Sequence, residues 1–221
     1  LNVIDARNTG TGALSVSSTG AIFGGVKGIS ALLSSSGTDL TISAASVTGG
    51  NVGIDARSEG QGTLSVTTSG AISGGTGAGI QTISNAGSAV AITLLSTSSV
   101  SSTSGEAIVD GAGDAVVTIN AGAVVNGSIS LGDGNDTLNI MAGTSLAGVT
   151  SLNGGLGSFV DTLNLNAGLA GTLSNWEIMN VNTAGGDFSI TGAISVMSSG
   201  SLALPGLAWC ATMRQPRVVF R

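Results

Sequence analysis

The sequence predicts an all-β fold of the parallel β-helix (β-solenoid) class with rungs of about 25 residues, and three observations predict it. First, Ile4-Asp5-Ala6-Arg7, Gly12-Ala13-Leu14-Ser15-Val16 and Gly20-Ala21-Ile22-Phe23-Gly24-Gly25 return 50 positions on. The copies are Ile54-Asp55-Ala56-Arg57, Gly62-Thr63-Leu64-Ser65-Val66 and Gly70-Ala71-Ile72-Ser73-Gly74-Gly75. Second, a shorter period lies inside the longer one. Leu40-Thr41-Ile42 falls where Leu14-Ser15-Val16 fell, and Val47-Thr48-Gly49-Gly50 where Ile22-Phe23-Gly24-Gly25 fell. Third, period-2 alternation puts Ile4, Ala6, Leu14, Val16 and Ile22 on one side of the backbone and Asp5, Arg7 and Ser15 on the other. One such turn cannot bury its apolar side alone. Stacked on the next turn at ~4.8 Å, each strand pairs with its copies, and the inward residues form continuous aliphatic ladders.

Each unit reads as three short strands separated by Gly- and Ser/Thr-rich corners. The first three rungs occupy 4–28, 29–53 and 54–79, and the fourth starts at Ile80. There Val90-Ala91-Ile92 continues the Leu-x-Ile position, whereas the Ser96–Ser104 run reads as a corner loop or a flexible insertion before Ala107-Ile108 resumes the pattern. Farther on, Val117-Thr118-Ile119, Leu138-Asn139-Ile140 and Leu163-Asn164-Leu165 keep the period with new wording. Asp136-Thr137-Leu138-Asn139-Ile140 and Asp161-Thr162-Leu163-Asn164-Leu165 lie 25 apart, which stacks Asn139 on Asn164 and Leu138 on Leu163. A last repeat carries Trp176, Ile178, Phe188-Ser189-Ile190 and Ala193-Ile194-Ser195-Val196. Residues 1–204 are thus read as one repeat domain. The remainder, 205–221, has both prolines, the sole Cys and half the basic residues but no strand–corner rhythm, and is read as an irregular, non-native or disordered tail.

Composition excludes several functions. The chain has 37 Gly, no His, no Tyr, 8% charged residues and a net charge of −6, with Arg214, Arg217 and Arg221 concentrated at its end. An acidic repeat region with so few cations lacks the basic stripe that nucleic acid requires, and equally disfavours an anionic membrane surface. Without His there is no Ser-His-Asp triad to activate Ser15 or Ser65. With aromatics at 3%, sugar platforms of Trp and Tyr are disfavoured. Cys210 stands alone, so the repeats hold neither a disulfide framework nor a thiolate metal site. Starting at Leu1 with no initiator Met and no signal-peptide pattern, the chain reads as an internal or truncated piece.

Two constellations carry candidate chemistry. Gly132-Asp133-Gly134-Asn135-Asp136-Thr137-Leu138 nearly fits the calcium-binding nonapeptide, with Leu131 in place of the first Gly. Calcium wants six to eight oxygens, normally shared between successive turns. Asp133, Asp136 and Asp161 are the calcium candidates, Asp161 because one rung separates it from Asp136. The copy near Gly154-Gly155-Leu156-Gly157 has its Asp two residues late, so the favoured reading is a tight Gly/Asn/Asp corner chosen for its backbone angles. On that reading a chelator leaves folding nearly unchanged. The second constellation is Asp5 with Arg7 and Asp55 with Arg57. It is read as solvated surface charge, since Ser30 and Leu32 stand at the matching places of the rung between and no carboxylate pair forms for general acid–base work.

Leu131-Gly132-Asp133-Gly134-Asn135-Asp136-Thr137-Leu138-Asn139-Ile140 and Asn175-Trp176-Glu177-Ile178-Met179-Asn180-Val181, set among Ser/Thr/Gly-rich repeats, resemble the passenger domains of bacterial autotransporters (type V secretion). The resemblance covers about 1–200. It implies a right-handed parallel β-helix at the cell surface, exported across the outer membrane through a C-terminal β-barrel translocator. The sequence itself has no series of ~10-residue alternating strands with aromatic girdles that would make such a barrel. Adhesin-like attachment to a host or neighbouring-cell surface, or self-association, follows as the expected role, with no catalytic residue and no cofactor. The alternatives are a polysaccharide-cleaving β-helix enzyme and a calcium-stiffened surface repeat protein.

Overall fold

The computed structural model describes residues 2–182 in full and 194–203 as backbone. The expectations for Phe188–Ile190, Ala193 and the 205–221 tail lie outside the described residues. Within them the chain is all-β, seventeen strands and no helix. Every strand pairing is parallel, and most partners lie about one 25-residue rung apart, as in Ile4↔Ile29 and Ile29↔Ile54, the last rung being shorter at Thr162↔Ile178. The result is a parallel β-solenoid of about seven turns, an axial rise of roughly 35 Å at ~4.8 Å per turn.

Three walls enclose one apolar core. In the first wall, Ile4, Ile29, Ile54, Ile80, Ile108, Ile129, Leu152 and Leu173 stack in unbroken register. The second wall carries Val16, Ile42, Val66, Ile92, Val117, Leu138, Leu163 and Met179 in the same way. On the third, Ile22, Val47, Ile72, Val100 and Val125 close the interior. Nearly all of these are fully buried, at roughly 1.5–3 kcal/mol for each such side chain. Ile4, Ala6 and Leu14, on the first rung, are only partly buried against the core. Alternation along each strand explains the rest: residues between the ladder positions point outward.

Two expectations on the walls are corrected. Ser96–Ser104 is neither a corner loop nor an insertion outside the ladder, because the strand Ser99–Val109 begins inside it and pairs Ser99↔Ala71, Val100↔Ile72 and Ser101↔Ser73. Val100, fully buried, anchors that strand, and its serines bond to the rung below: Ser104 Oγ donates to the Gly77 carbonyl at 3.1 Å. The separate short strands of a unit also merge at some corners. Leu14–Gly24 turns from one wall to the next as a single eleven-residue strand, because a register shift between Ser18 and Ala21 bends it without ending its pairing.

Trp176, wholly buried on the strand Thr172–Val181, fills a corner of the last described rungs. Its indole Nε1–H donates to the Leu152 carbonyl at 3.0 Å, so the one polar atom of the ring is satisfied.

Candidate functional site

The inward column that opens with Leu14, Leu40, Leu64, Val90 and Ala115 changes chemistry in its last three places. The pairings Val116↔Thr137, Thr137↔Thr162 and Thr162↔Ile178 put Asp136, Asp161 and Glu177 next in line after Ala115. Asp136 is fully buried and Asp161 almost so. Each stands one residue before a four-residue strand, Thr137–Ile140 and Thr162–Leu165, at the mouth of a Gly-rich corner. Each carboxylate reaches back one rung for a backbone N–H. The Ala115 N–H donates to Asp136 Oδ1 at 2.7 Å, the Asp136 N–H to Asp161 Oδ1 at 2.9 Å, and the Asp161 N–H to Glu177 Oε2 at 2.8 Å. A contact of the opposite sense lies one residue outward, where the Asn135 N–H donates to Asp114 Oδ1 of the preceding rung at 2.9 Å.

These contacts place the calcium candidates. Asp136 and Asp161 do lie on adjacent corners, but what each holds is the backbone amide of a neighbouring rung. Asp133 is exposed on the outside of the corner. Among the described residues, no group of three or more His, Cys, Asp or Glu side chains converges to hold a metal.

Burial dominates the electrostatics of this column. It pushes Asp136 up to about 7, opposed by the Ala115 N–H and reinforced by the charges of Asp161, Asp110 and Asp114. Asp161 is raised to about 6 by burial, against the pull of the Asp136 N–H and with the help of Glu177. Asp110, just after the strand Ser99–Val109, is raised to about 6 by burial too, although the Thr82 hydroxyl donates to it and the nearby Gly111 and Gly113 amides pull the other way. Two buried oxygens, Asp110 Oδ2 and Asp136 Oδ2, have no hydrogen-bond partner. Between Arg57 and Arg214 the sequence contains no Lys, Arg or His, so no cationic side chain of that stretch offsets the charge. Sequence reasoning missed Asp110 and the burial of the other two. The usable signal was the count back from Leu138 to Val117, which sets Asp136 on Ala115, an interior position.

The outer surface of the same wall carries two regular columns. Ser15, Thr41, Ser65, Ala91, Val116, Thr137, Thr162 and Ile178 form one outward column. Ser17, Ser43, Thr67, Thr93, Thr118, Asn139, Asn164 and Asn180 form the other. Neither column carries a charge, and no register shift interrupts these eight strands where they pair across this wall. At its far end the amides lock together: Asn164 Nδ2 donates to Asn139 Oδ1 and Asn180 Nδ2 to Asn164 Oδ1, both at 2.8 Å.

The ion-paired side chains sit on a different wall. Arg7 Nε donates to Asp5 Oδ1 at 3.0 Å in the open, and this contact holds the Asp5 carboxyl below its usual range. Ser30 separates Asp5 from Asp55 in the register, as the sequence implied. Asp55, however, is no solvated charge. It is 1% exposed, bonded by Lys27 Nζ and by Arg57 Nε at 3.1 Å, so two cations replace the water it lost. No family model matches the chain, and no curated protein and no solved structure matches it either.

Proposed function

We propose that this chain is a non-catalytic, adhesin-like β-solenoid stalk of the kind that autotransporter passengers form, displayed outside the cell and binding a host or neighbouring-cell surface, or another copy of itself. The observation that carries this reading is a pair of uncharged outward columns, one of Ser, Thr and Asn throughout and one of Ser and Thr broken by Ala91, Val116 and Ile178, regular over eight strands. Hydroxyls and amides both donate and accept, so such a wall meets another neutral polar surface without desolvating an ion. For two copies of an acidic chain, net charge −6, these two columns bring no like charges together. Its columns hold no Trp, Tyr or Arg, the anchors of tight hot spots. Two columns over eight strands cover well under the ~800 Å² per partner of a stable interface. Each contact is therefore weak, and many copies on one surface bind by multivalency. Parallel stacking supplies the stiffness that holds the wall away from its anchor.

The test displays residues 1–204 on bacteria and on beads at graded density, scoring attachment, self-aggregation and polysaccharide cleavage. Attachment is expected to rise more steeply than density. Thr67→Lys with Thr118→Lys is expected to reduce it at least tenfold, while Ser30→Lys on the charged wall leaves it unchanged. Density-independent attachment, or sugar turnover lost on mutating Asp5 or Asp55, would overturn the reading in favour of a discrete site.

A further inference from the structure

The column of inward carboxylates has no role in the proposed stalk surface, since it faces the interior. It is costly: a buried, ionised carboxylate without a cation or sufficient donors is among the most unfavourable groups a fold can hold. Its oxygens, with those of Asp110 on the neighbouring wall, divide into two sets. Asp136 Oδ1 and Asp161 Oδ1 accept backbone amides of the adjacent rungs, which ties the successive corners together. Asp136 Oδ2 and Asp110 Oδ2 are sealed from solvent and accept nothing.

We propose that the stacked corners at Asp110–Asp114, Leu131–Asp136 and Val160–Asp161 form a proton-held latch, closed when Asp136 and its neighbour Asp110 carry a proton and loosened when they ionise. The groups facing Asp136 make the case. Asp110 follows the strand Ser99–Val109, Asp114 opens the strand Asp114–Ile119, and Asp161 precedes Thr162–Leu165 with Glu177 behind it on Thr172–Val181. All are acids, and the only other polar partner of Asp110 from a neighbouring strand is the neutral Thr82 hydroxyl. Ionising Asp136 therefore adds a negative charge beside other carboxylates and leaves a bare anionic oxygen inside the wall. A proton on Oδ2 removes that charge, while Oδ1 goes on accepting the Ala115 amide.

The direction of the pH effect follows from proton counting. These acids titrate higher in the fold than in the unfolded chain, so between about pH 4 and about pH 7 the folded state binds more protons. The stabilisation is complete below the unfolded value and is lost as pH rises through 6 to 7. This is opposite to the usual acid denaturation of paired carboxylates.

The experiment uses the full chain in chelated buffer at pH 5, 6.5 and 8. The melting temperature is expected to fall by roughly 5 °C or more from pH 5 to 8. Protection of the Ala115 and Asp136 amides against hydrogen exchange, corrected for intrinsic rates, should drop at least tenfold, while Ile29 and Ile54 hold theirs. Asp136→Asn keeps the Oδ1 acceptor and removes the ionisation, so its pH dependence should be markedly flatter. If that variant does not fold, isotope-edited infrared spectra of the native chain decide, with a protonated buried carboxyl band present at pH 5 and gone at pH 8. A melting temperature flat or rising with pH would overturn the latch. So would an absent protonated band, or full restoration at pH 8 by added calcium, which would make the column a cation site.

Discussion

Trp176→Ala is expected to destabilise the C-terminal rungs by about 3–5 kcal/mol, the range for emptying a buried Trp site. The side chain is completely sealed, and its nitrogen bonds the Leu152 carbonyl one rung away. Truncation therefore opens a cavity and leaves that carbonyl without its partner, a further penalty of about 1–3 kcal/mol where water does not enter. Both losses fall between the strands Ser145–Asn153 and Thr172–Val181, which pair at Leu152↔Leu173. Because a solenoid couples mainly to nearest neighbours, the damage should stay local. Hydrogen exchange of the amides in 145–181 measures it, with those of 27–58 as the internal reference. Trp176→Phe separates the two contributions, since it keeps most of the burial and gives up only the bond. A loss below 1 kcal/mol for the Ala variant would mean that the corner collapses around the gap or that the indole does not fill it.

Much of this fold could be read from the sequence, because a solenoid writes its contacts as a period. Leu138 on Leu163 and Asn139 on Asn164 follow from a separation of 25 residues alone, and the structure pairs both, with the Asn amides bonded at 2.8 Å. What the period does not write is the direction of a polar side chain at a corner. Asp136 follows Gly134-Asn135 and so reads as a turn residue, yet it occupies the place that Leu64, Val90 and Ala115 hold in the same column. A short side chain at the first inward position of a strand can find a free backbone amide one rung away, which a hydropathy pattern does not register. Asp55 hides for a similar reason. Its burial depends on Lys27, 28 residues earlier, crossing to it from the neighbouring rung. The Ser99–Val109 strand went unread because Ser and Thr serve corners and outward strand positions equally well. Only the sealed Val100 separates the two readings.

Gly53→Ala is expected to cost about 3 kcal/mol, at the upper end of overpacking, although it adds one methyl group. Gly28, Gly53 and Gly79 stack in register at the entrance to the first wall, where the ends of two walls approach closely. A Cβ on Gly53 would sit 2.5 Å from the Gly79 carbonyl oxygen and 2.9 Å from that of Ser73, both backbone atoms that no rotamer change can move. Relief requires the strands to part, which strains the Gly53 N–H bond to the Ala78 carbonyl (3.1 Å) and the Ile54 N–H bond to the Gly79 carbonyl (2.9 Å). Gly20→Ala is the matched comparison: nothing lies within 4 Å of its added Cβ, so the substitution should be neutral or stabilise by up to ~1 kcal/mol through the unfolded chain. Denaturant unfolding of the two variants, with exchange of the 52–83 amides, reads the contrast. Equal stabilities would show that the corner yields, and that the glycine column at 28, 53 and 79 is not what sets the approach of the walls.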